Sequence, residues 1–147
     1  MSWHRITLLF AALGLVAFGL ASPSVANDAR YQVIVHPANP ITALDQGFLR
    51  NAYLRKEIEW PDGRAIQPID LTTRFTVRDQ FTHEVLRKTP AQLKSYWNQR
   101  IFSGKGAPPP EVDRAADMIA YVLANPGAIG YLPARHDPGR AKVIEVR

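Results

Sequence analysis

The chain has 147 residues, no cysteine and a formal net charge of +5. The absence of cysteine excludes a disulfide framework, a thiol nucleophile, a zinc–thiolate site and lipid attachment at a cysteine. The excess of positive charge is mild and forms no obvious basic stripe, so it favours a small anion or an acidic surface over nucleic acid as a partner.

The first 26 residues have the pattern of a secretory signal peptide. Arg5 precedes an almost unbroken apolar run from Ile6 to Ala21, and Ser24 and Ala26 occupy the small-residue positions of a cleavage site. The run is short for a membrane span, so cleavage after Ala26 is favoured over a retained anchor. We therefore expect residues 27–147 to form one periplasmic domain, without a lipid anchor and without membrane insertion.

The first predicted elements after this segment are a strand and a short helix. "YQVIVH" (residues 31–36) alternates as a strand does, and Asp45 is a plausible N-cap for the helix. The apolar face of that helix consists of Phe48, Leu49, Ala52 and Tyr53. Two extended pieces, residues 57–60 and 65–71, then flank a Pro-Asp-Gly turn.

Three helices are predicted next. Apolar residues at helical spacing predict the first from Thr76 to Arg87. Thr89 and Pro90 supply a cap and a first-turn proline for the second, which runs into the loop "FSGKGAPPP". The third is predicted from Glu111 to Leu123. Its inward face is predicted to be Val112, Ala116, Ile119 and Leu123.

Two strands, "AIGYL" (residues 128–132) and "AKVIEV" (residues 141–146), close the chain. Extended pieces therefore lie at both ends of the expected domain, with helices between them. This order predicts an α/β fold in which the terminal strands lie near each other in one sheet.

Residues with catalytic or metal-binding chemistry are dispersed. His36, His83 and His136 lie in three separate contexts, and none has metal-ligand spacing. The acidic residues show no paired spacing for acid–base work, and "SGKG" lacks the spacing and the following helix of a phosphate loop. The sequence therefore predicts no enzyme, no metal site and no cofactor.

The most informative stretch for binding is "DLTTRFTVRDQF" (residues 70–81). A helix start, which carries unpaired amides and partial positive charge, coincides there with hydroxyl donors and arginines. The candidate anion-binding residues are Thr72, Thr73, Arg74, Thr76 and Arg78. The alternative is an ordinary helix, capped by Thr76 with Asp79 completing a capping-box-like start. On this segment alone the capped helix is favoured.

Four segments in order resemble the phosphate ABC-transporter substrate-binding proteins. They are "VIVHPANPITALDQGFLRNAYLRKEIEWPDG", the amphipathic helix with Phe81, "LKSYWNQRIFSGKGAPP" and "NPGAIGYLP". The resemblance implies the type 2 periplasmic binding-protein fold, in which α/β lobes joined by hinge strands hold a solute in a cleft. Because those proteins are usually about twice as long, it implies a single lobe here, with a small mixed sheet flanked by helices.

The anion site of that family is altered in this sequence. Phosphate-binding members carry an arginine, then "S-G-T" at the helix start, then a phenylalanine. This chain keeps Thr76 and Phe81, but it has Asp70 where the arginine would fall, and Arg74 and Phe75 where the serine and glycine would fall. Phe75 blocks the close backbone approach that glycine permits, and a buried Asp70 would repel phosphate. We therefore expect helix capping to persist and high-affinity phosphate capture to be lost.

Two functions remain open. The first is a periplasmic solute-binding-protein-like domain that binds phosphate or another small anion for ABC transport or sensing, with an ABC permease as partner and without catalysis. The second is a single-lobe interaction or sensor-accessory module of the cell envelope that has lost its solute. The orientation of Asp70 and Phe75 separates them. If both point into the cleft, the anion hypothesis fails, and if they turn away, Arg74 and Arg78 can replace the missing arginine.

Overall fold

The computed structural model describes residues 30–147, which form a mixed sheet, a two-stranded ribbon and four helices. The strands are β1 (Tyr31–Val35), β2 (Ala43–Leu44), β3 (Gln67–Pro68), β4 (Asp70–Leu71), β5 (Glu111–Val112), β6 (Ala128–Pro133) and β7 (Lys142–Val146). The helices are α1 (Gln46–Tyr53), α2 (Thr76–Glu84), α3 (Pro90–Phe102) and α4 (Ala115–Ala124). The predicted signal peptide lies outside the described residues. Within residues 30–147, no helix is both long and apolar enough to cross a membrane.

The terminal strands share one sheet, as predicted. The five-stranded sheet has the order β2-β7-β1-β6-β3, with β1 antiparallel to both β6 and β7. The short strands β2 and β3 add parallel pairings at the two edges. β4 and β5 form a separate parallel pair that sets Asp70 opposite Glu111. The predicted α/β class with a small mixed sheet is therefore confirmed.

An aromatic cluster joins the helices to the centre of the sheet. Phe81 of α2 is fully buried and stacks on Tyr131 of β6, with ring centroids 3.9 Å apart. Tyr53 of α1 meets both rings edge-on, at 4.8 Å and 5.9 Å. Because these rings come from α1, α2 and β6, their burial fixes α2 against the sheet and turns the Tyr131 hydroxyl toward β4.

Two of the predicted helix starts are confirmed at the level of single hydrogen bonds. The Asp45 carboxylate accepts a hydrogen bond from the Phe48 amide at 2.7 Å, which caps α1. Thr89 and Gln92 form a full capping box at the start of α3, with Pro90 as its first residue.

Two helix bounds differ from the prediction. α2 ends at Glu84, three residues earlier than expected, because Arg87 adopts a left-handed conformation with φ +55° that stops the helix. α4 begins at Ala115, since Glu111 and Val112 pair with β4 as a strand.

The inward face predicted for α4 is only partly right. Its buried residues are Met118 and Val122, whereas Ala116 is exposed, and Ile119 and Leu123 are only partly buried. Ile119 and Leu123 pack against the core, but the most deeply buried face of α4 is shifted by one residue from the predicted one.

Candidate functional site

The predicted anion-binding stretch leads from β4 into the start of α2. Phe75 is the N-cap residue, in an extended conformation with φ −97° and ψ 123°, and no side chain caps the helix. The prediction that Thr76 caps α2 is therefore wrong, because Thr76 is already the first helical residue. The capping-box start predicted with Asp79 is absent for the same reason.

The uncapped start leaves backbone amides of α2 without hydrogen-bond acceptors. The Arg78 amide reaches back to the Phe75 carbonyl at 2.9 Å, and the Phe75 amide bonds to the Thr72 carbonyl at 3.2 Å. Within residues 30–147, the amides of Thr76 and Val77 have no acceptor. Unpaired amides at a helix N-terminus carry partial positive charge and attract anions.

The charge of Arg78, in contrast, is paired inside the domain. The residue is only 8% exposed, and its Nη1 lies 2.7 Å from Asp70 Oδ2 and 3.2 Å from Glu111 Oε1. The same nitrogen donates a hydrogen bond to the Leu71 carbonyl. Arg78 therefore joins α2 to the β4–β5 pair, and its charge is compensated by two carboxylates.

Asp70 is the most deeply buried carboxylate of this group, at 4% exposure. Its Oδ1 accepts hydrogen bonds from the Tyr131 hydroxyl and, at 2.9 Å, from the Leu71 amide. Burial raises the pKa of Asp70 to about 6, although Arg78 and the Tyr131 hydrogen bond act to lower it. Burial and the charge of Asp70 raise the pKa of Tyr131, so the phenol stays protonated and donates.

A cavity of about 280 Å³ lies beside this group, between α2, α3 and the β4–β5 pair. Its charged lining residues are Asp70, Arg78, Asp79, Lys94 and Glu111. α3 supplies an apolar wall through Leu93, Trp97 and Ile101. Three carboxylates face two cations, so the cavity disfavours a small dianion such as phosphate.

Two of the five predicted anion-binding residues face Asp113 instead. The Thr72 hydroxyl donates a hydrogen bond to Asp113 Oδ1 at 2.6 Å. The Arg74 guanidinium lies 3.7 Å from Asp113 Oδ2, and its side chain is 78% exposed. An exposed ion pair at this distance contributes little, so Arg74 is free to turn toward another anion.

The other three predicted residues do not converge on one point. Thr73 and Arg78 line the cavity, whereas Thr76 is exposed at the start of α2. Phe75 is partly buried, packs against the core and is not among the residues that line the cavity. Among residues 30–147, no group of three His, Cys, Asp or Glu side chains is placed to hold a metal ion.

Sequence reasoning did not identify Glu111 and Tyr131 as members of this group. Glu111 lies 33 residues from Arg78, and Tyr131 lies 61 residues from Asp70. A local signal did exist for Asp70, the one charged residue of the mostly apolar extended segment 65–71. Such a residue needs a buried partner, but the sequence does not say which one.

No family model matches the chain, and no curated protein matches it in sequence. Solved structures do match it. A putative phosphate ABC transporter substrate-binding protein with bound phosphate from Clostridium perfringens superposes with a TM-score of 0.60 at 20% identity, over 80% of this chain and 46% of that one. The fold is that of phosphate ABC-transporter substrate-binding proteins.

Two further structures support the same assignment. An ABC-type phosphate transport receptor from Vibrio cholerae gives a TM-score of 0.63 at 18% identity, over 80% of this chain and 47% of that one. PstS from Borrelia burgdorferi gives 0.63 at 13% identity over the same shares. The resemblance inferred from the sequence is thus confirmed for the fold. The chain spans less than half the length of each of these proteins and is a partial, single-lobe form of their fold.

Proposed function

We propose that this chain is a periplasmic solute-binding-protein-like domain that binds a small anion weakly, for ABC transport or sensing and without catalysis. Phosphate is the first candidate, because the matching structures described above are phosphate-transport proteins and one of them holds bound phosphate. The observation that carries the proposal is the uncapped start of α2, where the amides of Thr76 and Val77 have no acceptor among residues 30–147.

The groups available to the anion are few, so the affinity is expected to be low. Arg78 is compensated by Asp70 and Glu111, which leaves Arg74 as the nearby cation. An anion at a helix N-terminus gains about 0.3–2 kcal/mol from the dipole, and each charge-assisted hydrogen bond adds roughly 1.5–3 kcal/mol. The cost of association offsets most of this gain, so we expect weak binding, with a dissociation constant of roughly 1 mM or higher.

A single-lobe interaction module is the second candidate. The buried group around Asp70 and Arg78 favours it, because the cationic side chain best placed for an anion is already paired inside the domain. In that case the chain works through a protein partner of the envelope, such as a permease, and needs no solute.

The test is a phosphate titration followed by amide NMR, with chloride at matched ionic strength as the reference. We expect saturable shifts of the Thr76 and Val77 amides in millimolar phosphate and none in chloride. This range suits the method, because binding of this strength is in fast exchange. Absence of saturable shifts would overturn the anion proposal and leave the interaction module.

Two substitutions at one position sharpen the test. Thr76→Pro removes an amide that has no partner, and proline is favoured at the first helical position. The extended Phe75 before it is compatible with a following proline. Thr76→Ala keeps the amide and removes only the hydroxyl. We expect phosphate binding to weaken more in Thr76→Pro than in Thr76→Ala, while both variants remain folded.

A further inference from the structure

The end of α3 and the loop after it form a basic and apolar surface that the proposed anion site does not use. Residues 85–110 include five lysines and arginines and no aspartate or glutamate. These cations are Arg87, Lys88, Lys94, Arg100 and Lys105. This segment therefore has no acidic residue of its own to offset its cations, although the chain as a whole is only mildly basic.

Two of these cations meet on one aromatic ring in the middle of α3. Lys88 and Arg100 both lie over the Tyr96 ring, at 5.2 Å and 5.6 Å from its centroid. The Arg100 guanidinium also donates to the backbone carbonyls of Arg55, at 3.3 Å, and Lys105, at 2.7 Å. Within residues 30–147, none of these cations forms an ion pair.

The same surface carries the most exposed large apolar side chain of the described residues. Phe102, the last residue of α3, is 95% exposed, and Ile101 beside it is 55% exposed. All residues from 101 to 108 are exposed, so the end of the helix and its loop project from the domain. At this exposure, Phe102 contributes little to the packing of residues 30–147.

We propose that this projection, which we call the α3 tip (Ile101, Phe102 and Lys105), docks on an anionic phospholipid surface. The lysine contacts the lipid phosphates, and the apolar side chains enter the boundary between headgroups and acyl chains. An exposed tip that combines apolar side chains with a lysine fits a deformable, phosphate-rich surface. The domain would lie on the membrane without crossing it, independently of any anion at the start of α2.

The test is co-sedimentation with vesicles. The chain from Asn27 onward is used, because all the described elements and their core lie within residues 30–147 and the apolar run from Ile6 to Ala21 would bind bilayers by itself. One set of vesicles contains phosphatidylglycerol and phosphatidylcholine in equal parts, and the other contains phosphatidylcholine alone. We expect binding to the anionic vesicles only, and weaker binding at high salt.

Substitutions at the tip have matched controls elsewhere. Lys105→Glu is expected to weaken binding at least about 5-fold, and Phe102→Ser about 10-fold. Arg135→Glu makes the same charge change in the β6–β7 connection, and Val143→Ser removes another exposed apolar side chain, on β7. Both controls are expected to bind nearly as the unaltered chain does. Because Phe102 is exposed, Phe102→Ser should unfold at an unchanged temperature.

Two results would overturn the proposal. One is the absence of binding of the unaltered chain to the anionic vesicles at low salt. The other is an equal loss of binding in the tip variants and their controls, which would indicate general attraction of a basic protein to a negative surface.

Discussion

Arg78 and Asp70 form a buried ion pair, with 2.7 Å between Nη1 and Oδ2, that ties α2 to β4. Both side chains are at least nine-tenths buried, and Glu111 and Tyr131 complete their contacts. The aspartate stands where the resemblance placed an arginine of the anion site. The chain therefore keeps a cation in this region but neutralises it internally, which accounts for the weak binding proposed above.

The first prediction concerns removal of the cation alone. Arg78→Met leaves the Asp70 carboxylate buried without its cation, so we expect a loss of about 3–5 kcal/mol in the free energy of unfolding at neutral pH. Asp70→Asn combined with Arg78→Met removes both charges and should recover most of this loss. Urea unfolding monitored by circular dichroism measures both values.

Arg114→Met is the control for this prediction. Arg114 pairs with Asp117 at 2.7 Å, but its side chain is 74% exposed and the pair is screened by solvent, so its loss should change the free energy of unfolding little. A cost for Arg78→Met no greater than that of Arg114→Met would contradict a structural role for the buried pair.

The second prediction is a contribution of Asp70 to the pH dependence of stability. Its pKa is about 6 in the folded chain, against an ordinary value of 3.8. Between these two values the folded state binds more protons than the unfolded state, so this group lowers the free energy of unfolding as pH rises from about 4 to 6. Asp70→Asn should remove that part of the pH dependence.

The quantity to measure is the difference between the unaltered chain and Asp70→Asn in how the free energy of unfolding depends on pH. Exposed carboxyls act in the opposite direction, because arginine neighbours lower the pKa of Asp62, Asp117 and Glu145. Those groups contribute equally in the variant and cancel when the two pH profiles are subtracted. Parallel profiles for the two chains would rule out a raised pKa at Asp70.

The elements that were predicted well have local signals in the sequence. The Asp45 cap and the Thr89 capping box depend on residues within a single helical turn, and both form as expected. The buried strand β6 and the alternating strand β1 are likewise visible as short apolar patterns. In these segments, local preference and tertiary packing favour the same conformation.

The errors lie where distant partners decide the structure. Glu111 and Val112 have no local strand signal and become a strand because β4 offers them an edge. At the start of α2, packing of the ring against the core holds Phe75 at the cap position, so no hydroxyl caps the helix. The composition of the buried ion-pair group also depends on long-range contacts, which periodicity does not reveal.

The third prediction ranks two glycines of the "NPGAIGY" segment. A Cβ at Gly127 would lie 2.1 Å from the backbone carbonyl oxygen of Ala65, whereas one at Gly130 would lie 2.4 Å from the Met118 sulfur. The methionine side chain is flexible and the backbone is not, so Gly127→Ala should destabilise more than Gly130→Ala. We expect about 1–3 kcal/mol for Gly130→Ala and more for Gly127→Ala in urea unfolding. The reverse order would show that the backbone around Ala65 adjusts to an added Cβ more easily than the core around Met118 does.

The fourth prediction connects the buried pair to anion binding. Asp70→Asn removes a negative charge next to Arg78, so the net potential near the start of α2 becomes more positive. We expect phosphate to bind roughly threefold more tightly to this variant at neutral pH, a change of ~0.7 kcal/mol. Lowering the pH below the Asp70 pKa of about 6 should strengthen binding to the unaltered chain relative to the variant, whose residue 70 does not titrate. Amide NMR titrations at two pH values measure both effects. Identical phosphate affinities for the two chains at neutral pH would show that the charge of Asp70 does not affect anion binding.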